Sequence, residues 1–243
     1  MSSIVLVTGA SGGIGRALAR QLHAQGLLVA AVGRDAARLA EVDAALRIGA
    51  DTTTPEGAAL AIAACQEGLG AAPTHLAHCV GSTLIAPLHR TRADAYREVM
   101  RVNLDSAVYV LQAFLTGLQG GPGAAVFASS VVACIGVANH EAIAAAKGGV
   151  EALVRSAAAT YAAQGLRVNA VAPGMTDTPM TAGLLKLPAM REGAARQYPL
   201  GGVQTADEVA AVMAWLLGDG ATRLTGQVIA VDGGFTTVRP LVK

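Results

Sequence analysis

The sequence predicts a doubly wound α/β fold, a single domain over residues 1–243 with a parallel sheet covered by helices on both faces. Three observations predict it. Strand-like and helix-like runs alternate along the chain. A glycine-rich turn joins the first strand to the first helix. The chain is 243 residues long and 53% hydrophobic, enough to fill one core near the upper size limit of a single domain.

The elements follow in order. Ile4 to Val7 is a β-rich run that ends in a glycine turn, after which Ile14, Ala17, Leu18, Gln21 and Leu22 recur at helical spacing. Gly26 stops that helix, and the apolar run Leu27 to Val32 reads as the second strand, followed by a helical pattern in "GRDAARLAEV". The alternation continues with a strand at Leu46 to Ala50, a helix through Ala58 to Ala64, a strand at Leu76 to Val80 and one long helical stretch from Ala93 to Phe114. A strand at Ala124 to Ala128, a helix through Val150 and Ala159, a strand at Val168 to Val171, a helix from Asp207 to Leu216 and a last strand at Gln227 to Val231 complete the order. The Gly/Pro-punctuated segment from Thr178 to Pro199 reads either as a mobile lid or as an ordered surface loop.

Composition narrows the function. Net charge is +1, no basic run exists and aromatics make up 3%, so the surface offers little to nucleic acid. No basic segment precedes the first apolar run, and no apolar run reaches membrane-spanning length, so a cytoplasmic protein with no membrane partner is expected. Cys65, Cys79 and Cys134 are odd in number and widely spaced with no CxxC pair, which fits buried apolar fillers in a reducing compartment rather than disulfides or a metal site.

The stretch "TGASGGIG", Thr8 to Gly15, carries the strongest signal. At a strand-to-helix junction Gly9 permits a tight turn, Gly13 lets backbone approach a pyrophosphate, and Gly15 lets helix pack on strand, with Ser11 and Ile14 completing the loop. This spacing resembles the TGxxxGxG loop of the short-chain dehydrogenase/reductase family, and the resemblance extends over nearly the whole chain. It implies a Rossmann-like domain that binds a nicotinamide cofactor and acts on a small-molecule substrate. Where the family's NAD-selective acid would stand, this chain has Gly33, followed by Arg34, whose guanidinium suits a phosphate; the expectation is NADP(H), with NAD(H) possible. Alternatively Arg34 is a solvated side chain neutralised by Asp35. Asp51 and Thr52 resemble the family's Asp-Val pair beside the adenine, and "HCVG" stands where the family has Asn-Asn-Ala-Gly, so that Gly81 leaves room for the cofactor while His78 and Cys79 replace asparagines. Pro173, Gly174 and Thr178 of "NAVAPGMTDTPM" resemble the turn that closes over the nicotinamide, and "GQVIAVDGG" resembles the family's last strand.

The same resemblance sets out a catalytic group and a gap in it. Asn103 matches the asparagine that anchors a relay water, Ser130 the serine that polarises the substrate oxygen, and Lys147 the lysine that holds the nicotinamide ribose. The family's tyrosine falls on Ile143, and an alkyl side chain can neither give nor take a proton. Tyr109 and Tyr161, nearest in sequence, lie in other turns or elements. His140 is three residues before Ile143 and seven before Lys147, near the same helix face, and imidazoles exchange protons near neutrality. Glu141 is rotated away by about 100° and is weaker. His140 is therefore either a substitute proton donor or a polar residue at the helix start, and Lys147 either relays protons or only holds ribose. Three functions remain open: an atypical dehydrogenase/reductase that transfers hydride between NADP(H) and a small, mainly apolar carbonyl, alcohol or conjugated substrate; a cofactor-binding protein without turnover, acting as a sensor or partner subunit; and a lyase or isomerase without net redox change. The resemblance also implies a homo-oligomer, dimer or tetramer, joined through the two long helices after the fourth and fifth strands.

Overall fold

A computed structural model of the chain describes residues 3–239; residues 1–2 and 240–243 of the expected domain lie outside the described residues. The elements are β1 (Ile4–Thr8), α1 (Gly13–Ala24), β2 (Leu28–Gly33), α2 (Ala36–Ala40), β3 (Leu46–Gly49), α3 (Pro55–Leu69), β4 (His75–His78), α4 (Ala93–Met100), α5 (Ser106–Leu118), β5 (Gly123–Ala128), α6 (Glu141–Tyr161), β6 (Leu166–Pro173), β7 (Thr176–Asp177), α7 (Pro188–Ala195), β8 (Gln204–Thr205), α8 (Ala206–Leu217) and β9 (Val228–Val231). Seven strands form one sheet in the order β3-β2-β1-β4-β5-β6-β9, every pair parallel, and β7 pairs with β8 in a small separate sheet.

Burial follows from the strand period of two. In β1, Ile4 and Leu6 enter a cluster with Leu76, Phe114, Phe127 and Val150, while Val5 and Val7 enter a second with Leu18, Leu22, Val126 and Met213. Both faces are thus covered, as an all-parallel sheet requires. The strand order reverses direction between β1 and β4, and in such sheets ligands bind outside the carboxyl ends of the strands at that reversal. Thr8, Gly33, His78 and Ala128 end the strands there.

Helix ends are locally specified. Thr54 caps α3 through Gly57 N–H ahead of Pro55, and Gly70 closes it at φ +77°. At α8 the Thr205 and Glu208 pair forms a reciprocal capping box.

Several boundaries correct the sequence reading. β2 begins at Leu28, β4 ends at His78 and β9 begins at Val228, each a trim of one or two residues. The stretch expected as one helix over Ala93 to Phe114 is divided by a wide turn, Arg101–Asp105, in which Ser106 N–H reaches back five residues to Arg101 O. Such π turns recur at functional sites. The Thr178 to Pro199 segment contains α7 and is pinned by an ion pair of 2.7 Å between Arg191 and Asp177.

Candidate functional site

The glycine loop fits a dinucleotide phosphate. Gly9 has φ +67°, and a Cβ there would lie 2.7 Å from the Cys79 carbonyl carbon, so β4 backs directly onto the turn. A Cβ on Gly15 would overlap Gly9 O. Gly13 is covered by Thr178: a Cβ would fall 2.6 Å from Thr178 Cγ2, so the turn after β6 lies over the loop. Helix α1 starts from Gly12 with no side-chain cap and no acidic residue in its first turn. Its first N–H groups therefore suit an anion. Ser11 meets Gly33, whose Cβ would sit 3.3 Å from Ser11 Oγ, and Ile14 packs beside the second core cluster.

Charge gathers at the ends of β2 and β3. Arg34, exposed, lies 3.9 Å from Asp51. Asp35 instead caps α2 by accepting from Arg38 N–H. Burial pulls the Asp51 carboxyl up, but hydrogen bonds from the Thr53 hydroxyl and N–H, with Arg34 and Arg101 nearby, outweigh it and leave the group below its ordinary value. Thr52 is buried beside it. Sequence reasoning missed Arg38, whose guanidinium donates to Ser11 O at 2.9 Å and so places a second cation on the glycine loop. Its position four residues after Arg34 was the available signal.

At the switch point three predicted residues converge. A Cβ on Gly81 would stand 3.2 Å from Asn103 Oδ1 and 3.5 Å from Lys147 Nζ. Asn103 is fully buried in the wide turn; Oδ1 accepts from Ser82 N–H at 3.1 Å, and Nδ2 donates to Ser82 Oγ and Val99 O, both at 3.0 Å. Lys147 Nζ donates to Ala128 O at 2.7 Å. Burial brings the Lys147 ammonium down to about 8, offset in part by the Cys79 thiol, which burial itself holds up near 12. Ser130 follows β5 two residues after Ala128; its hydroxyl accepts from Val132 N–H at 3.4 Å and donates to no protein acceptor among the described residues.

His140 and Ile143 fare differently. His140 is the N-cap residue of α6 without a side-chain capping bond, and its Nδ1 pairs with Ala138 O of its own loop at 2.7 Å. Asn139, at φ +65°, does not cap the helix. Among the described residues no hydrogen bond joins His140, Ser130 and Lys147 to one another. Ile143 is 4% exposed and packs with Val99, Ala142 and Ala146, flanked by Leu84, Met100, Leu104 and Val132. Pro173 ends β6, and Gly174 N–H donates to Val231 O at 2.9 Å. Tyr198, absent from the sequence reading, buttresses that turn: its hydroxyl accepts from Met175 N–H at 2.6 Å, and a Cβ on Gly174 would meet its ring at 2.7 Å.

A glycine loop under a closing turn, at the switch point of a doubly wound parallel sheet, defines a dinucleotide-binding α/β protein. Comparison with known proteins agrees. Residues 9–236 match the family described as Enoyl-(Acyl carrier protein) reductase. Cis-4-hydroxycyclohexanecarboxylate dehydrogenase of Sinomonas cyclohexanicum is 38% identical over 244 residues, covering 97% of each chain. Inactive 2-(S)-hydroxypropyl-CoM dehydrogenase 2 of Xanthobacter autotrophicus is 36% identical over 231 residues, 91% of this chain and 100% of that one. A variant of actinorhodin polyketide ketoreductase solved with NADPH superposes with a TM-score of 0.92 at 27% identity, covering 98% of both chains. The chain belongs to the short-chain dehydrogenase/reductase family, whose members are NAD(P)-dependent oxidoreductases.

Proposed function

We propose that this protein transfers hydride between NADP(H) and a small, mainly apolar carbonyl, alcohol or conjugated substrate, with Lys147 moving the proton in place of a phenol. The observation that carries this reading is the convergence of Lys147 and Asn103 on Gly81 at the switch point. When bound, the nicotinamide would supply or accept the hydride. Gly9, Ser11, Gly13, Ile14 and Gly15 would hold its pyrophosphate, Asp51 and Thr52 its adenine side, and Pro173, Gly174 and Thr178 its nicotinamide side. Arg34 and Arg38, with no acid at Gly33, favour a 2′-phosphate.

The protein's own groups divide the remaining work. Ser130 has an uncommitted O–H to give to the substrate oxygen. Asn103, locked by three hydrogen bonds, fixes the loop at Ser82, and its Oδ1 keeps a second lone pair with which it would accept from a relay water. Lys147, near 8, populates both protonation states around neutral pH, the condition for a useful proton donor. His140 is the alternative donor.

NADPH oxidation in the presence of a panel of small cyclic and aliphatic ketones tests the reading. Lys147→Met should lose about 10²- to 10⁴-fold in turnover, and His140→Ala little. Since the protonated lysine gives the proton, carbonyl reduction should fall as pH rises through about 8. Loss with His140→Ala alone would move the role to His140.

The burial of Ile143 among alkyl groups favours a second reading, a cofactor-binding protein without turnover, and the 36% identical relative is itself named inactive. NADPH binding with no turnover on any substrate would establish it. We further infer a cytoplasmic homo-oligomer joined through α5 and α6; the small residues Ala144, Ala145, Gly148 and Ala152 allow close helix packing, and the three cysteines are unpaired. Light scattering showing a stable monomer would refute the assembly.

A further inference from the structure

The strand that leads into Gly81 carries a histidine where the family's motif has asparagine, and this side chain is wholly buried. His78 stands between two hydroxyls: Nδ1 is 2.8 Å from Thr8 Oγ1 and Nε2 is 3.0 Å from Ser106 Oγ. Ser106 closes the wide turn that carries Asn103, and Thr8 is the last residue of β1 before Gly9.

Counting protons gives the row a direction. Ser106 has one hydroxyl proton, and it is committed to Val102 O at 2.6 Å. Nε2 of His78 must therefore be the donor to Ser106 Oγ, and Nδ1, unprotonated in a neutral ring, accepts from Thr8 O–H. Burial, reinforced by the Lys147 charge, pushes the imidazole down to about 3, so the ring stays neutral. Each hydroxyl and ring nitrogen in the row is satisfied, and all of its side chains are buried.

We propose that His78 is a positioning residue, a neutral Nε2–H tautomer that ties the start of the glycine loop to the wide turn presenting Asn103. The proposal rests on the reading of Asn103 as part of the site, but its consequence is structural and local. The wide turn has an irregular hydrogen-bond ladder, so its placement relies on tertiary ties. Val102 O, one residue before Asn103, is held by Ser106, and Ser106 is held by His78. Removing the ring frees Thr8 and Ser106 together and should let Asn103 drift from Ser82.

Two readouts independent of cofactor and substrate test this in the full chain. Side-chain nitrogen NMR should show His78 protonated at Nε2 and not at Nδ1; the opposite tautomer, or a charged ring at pH 6, overturns the proposal. Amide hydrogen exchange at Ser82, whose N–H donates to Asn103, should quicken by about tenfold or more in His78→Phe, with His78→Gln restoring protection by supplying an acceptor and a donor. Should His78→Phe fail to fold, Ser106→Ala removes the second link and should quicken Ser82 in the same way. A fall in melting temperature with Ser82 exchange unchanged would reduce His78 to a core filler and overturn the proposal. Failure to bind NADPH in the unaltered protein would instead count against the proposed function and leave these readouts as they stand.

Discussion

Ile143, four residues before Lys147, fills with alkyl packing the place where the family resemblance of the sequence puts a phenol. Its neighbours Val99, Leu104 and Val132 make the exchange self-consistent, because a hydroxyl among them would need a partner that this cluster does not offer. Two expectations for Ile143→Tyr follow. The larger ring should overpack the cluster and cost about 1–3 kcal/mol in unfolding free energy. If the surrounding groups retain their roles, the same variant should raise carbonyl reduction, by up to the 10²- to 10⁴-fold that a positioned acid supplies. Turnover unchanged in a folded Ile143→Tyr would show that Ser130, Lys147 and Asn103 are not poised for this chemistry. At this scale the sequence was informative about residue identity and poor about partnership. Gly81, Asn103 and Lys147 were legible through motif spacing, but the His78 row was not, since its hydroxyl partners lie 70 and 28 residues away. Arg38 and Tyr198 were invisible for a similar reason: their meaning comes from the backbone atoms they meet, Ser11 O and Met175 N–H.

Among the elements, the turn between β1 and α1 is the one whose geometry tolerates least. Gly9 combines a left-handed backbone with a neighbour's carbonyl carbon at 2.7 Å from any added Cβ. The backbone conformation alone costs a non-glycine residue about 1–3 kcal/mol. Gly9→Ala should therefore destabilise the protein by at least that much in denaturant unfolding, and a variant as stable as the parent would refute the placement of β4 behind the loop. Strands were easy to read because a parallel sheet covered on both faces demands continuous apolar runs, as in Leu28 to Val32. The wide turn at Arg101–Asp105 was not, because it inserts into a stretch whose 3.6-residue periodicity holds on either side. α2 was foreseen as a helix but not as one of five residues.

For the whole molecule, a single reversal of strand order between β1 and β4 brings every part of the site to one edge of the sheet. Glycine loop, β2 end, Gly81, Ser130 and the Pro173–Gly174 turn all follow strands at that edge, so the fold supplies position and the side chains supply chemistry. Charges beyond the ends of β2 and β3 are balanced rather than purely basic: Arg34 faces Asp51, and Arg38 rests on the loop backbone. Under the proposed preference a 2′-phosphate would approach Arg34 and Arg38, with Asp51 beside the first of them. Calorimetric titration of the purified protein with NADPH and with NADH would show whether the proposed nicotinamide site works and which cofactor it prefers. NADPH should bind at least about tenfold more tightly, a difference of about 1.4 kcal/mol; binding of neither cofactor would contradict the proposed function.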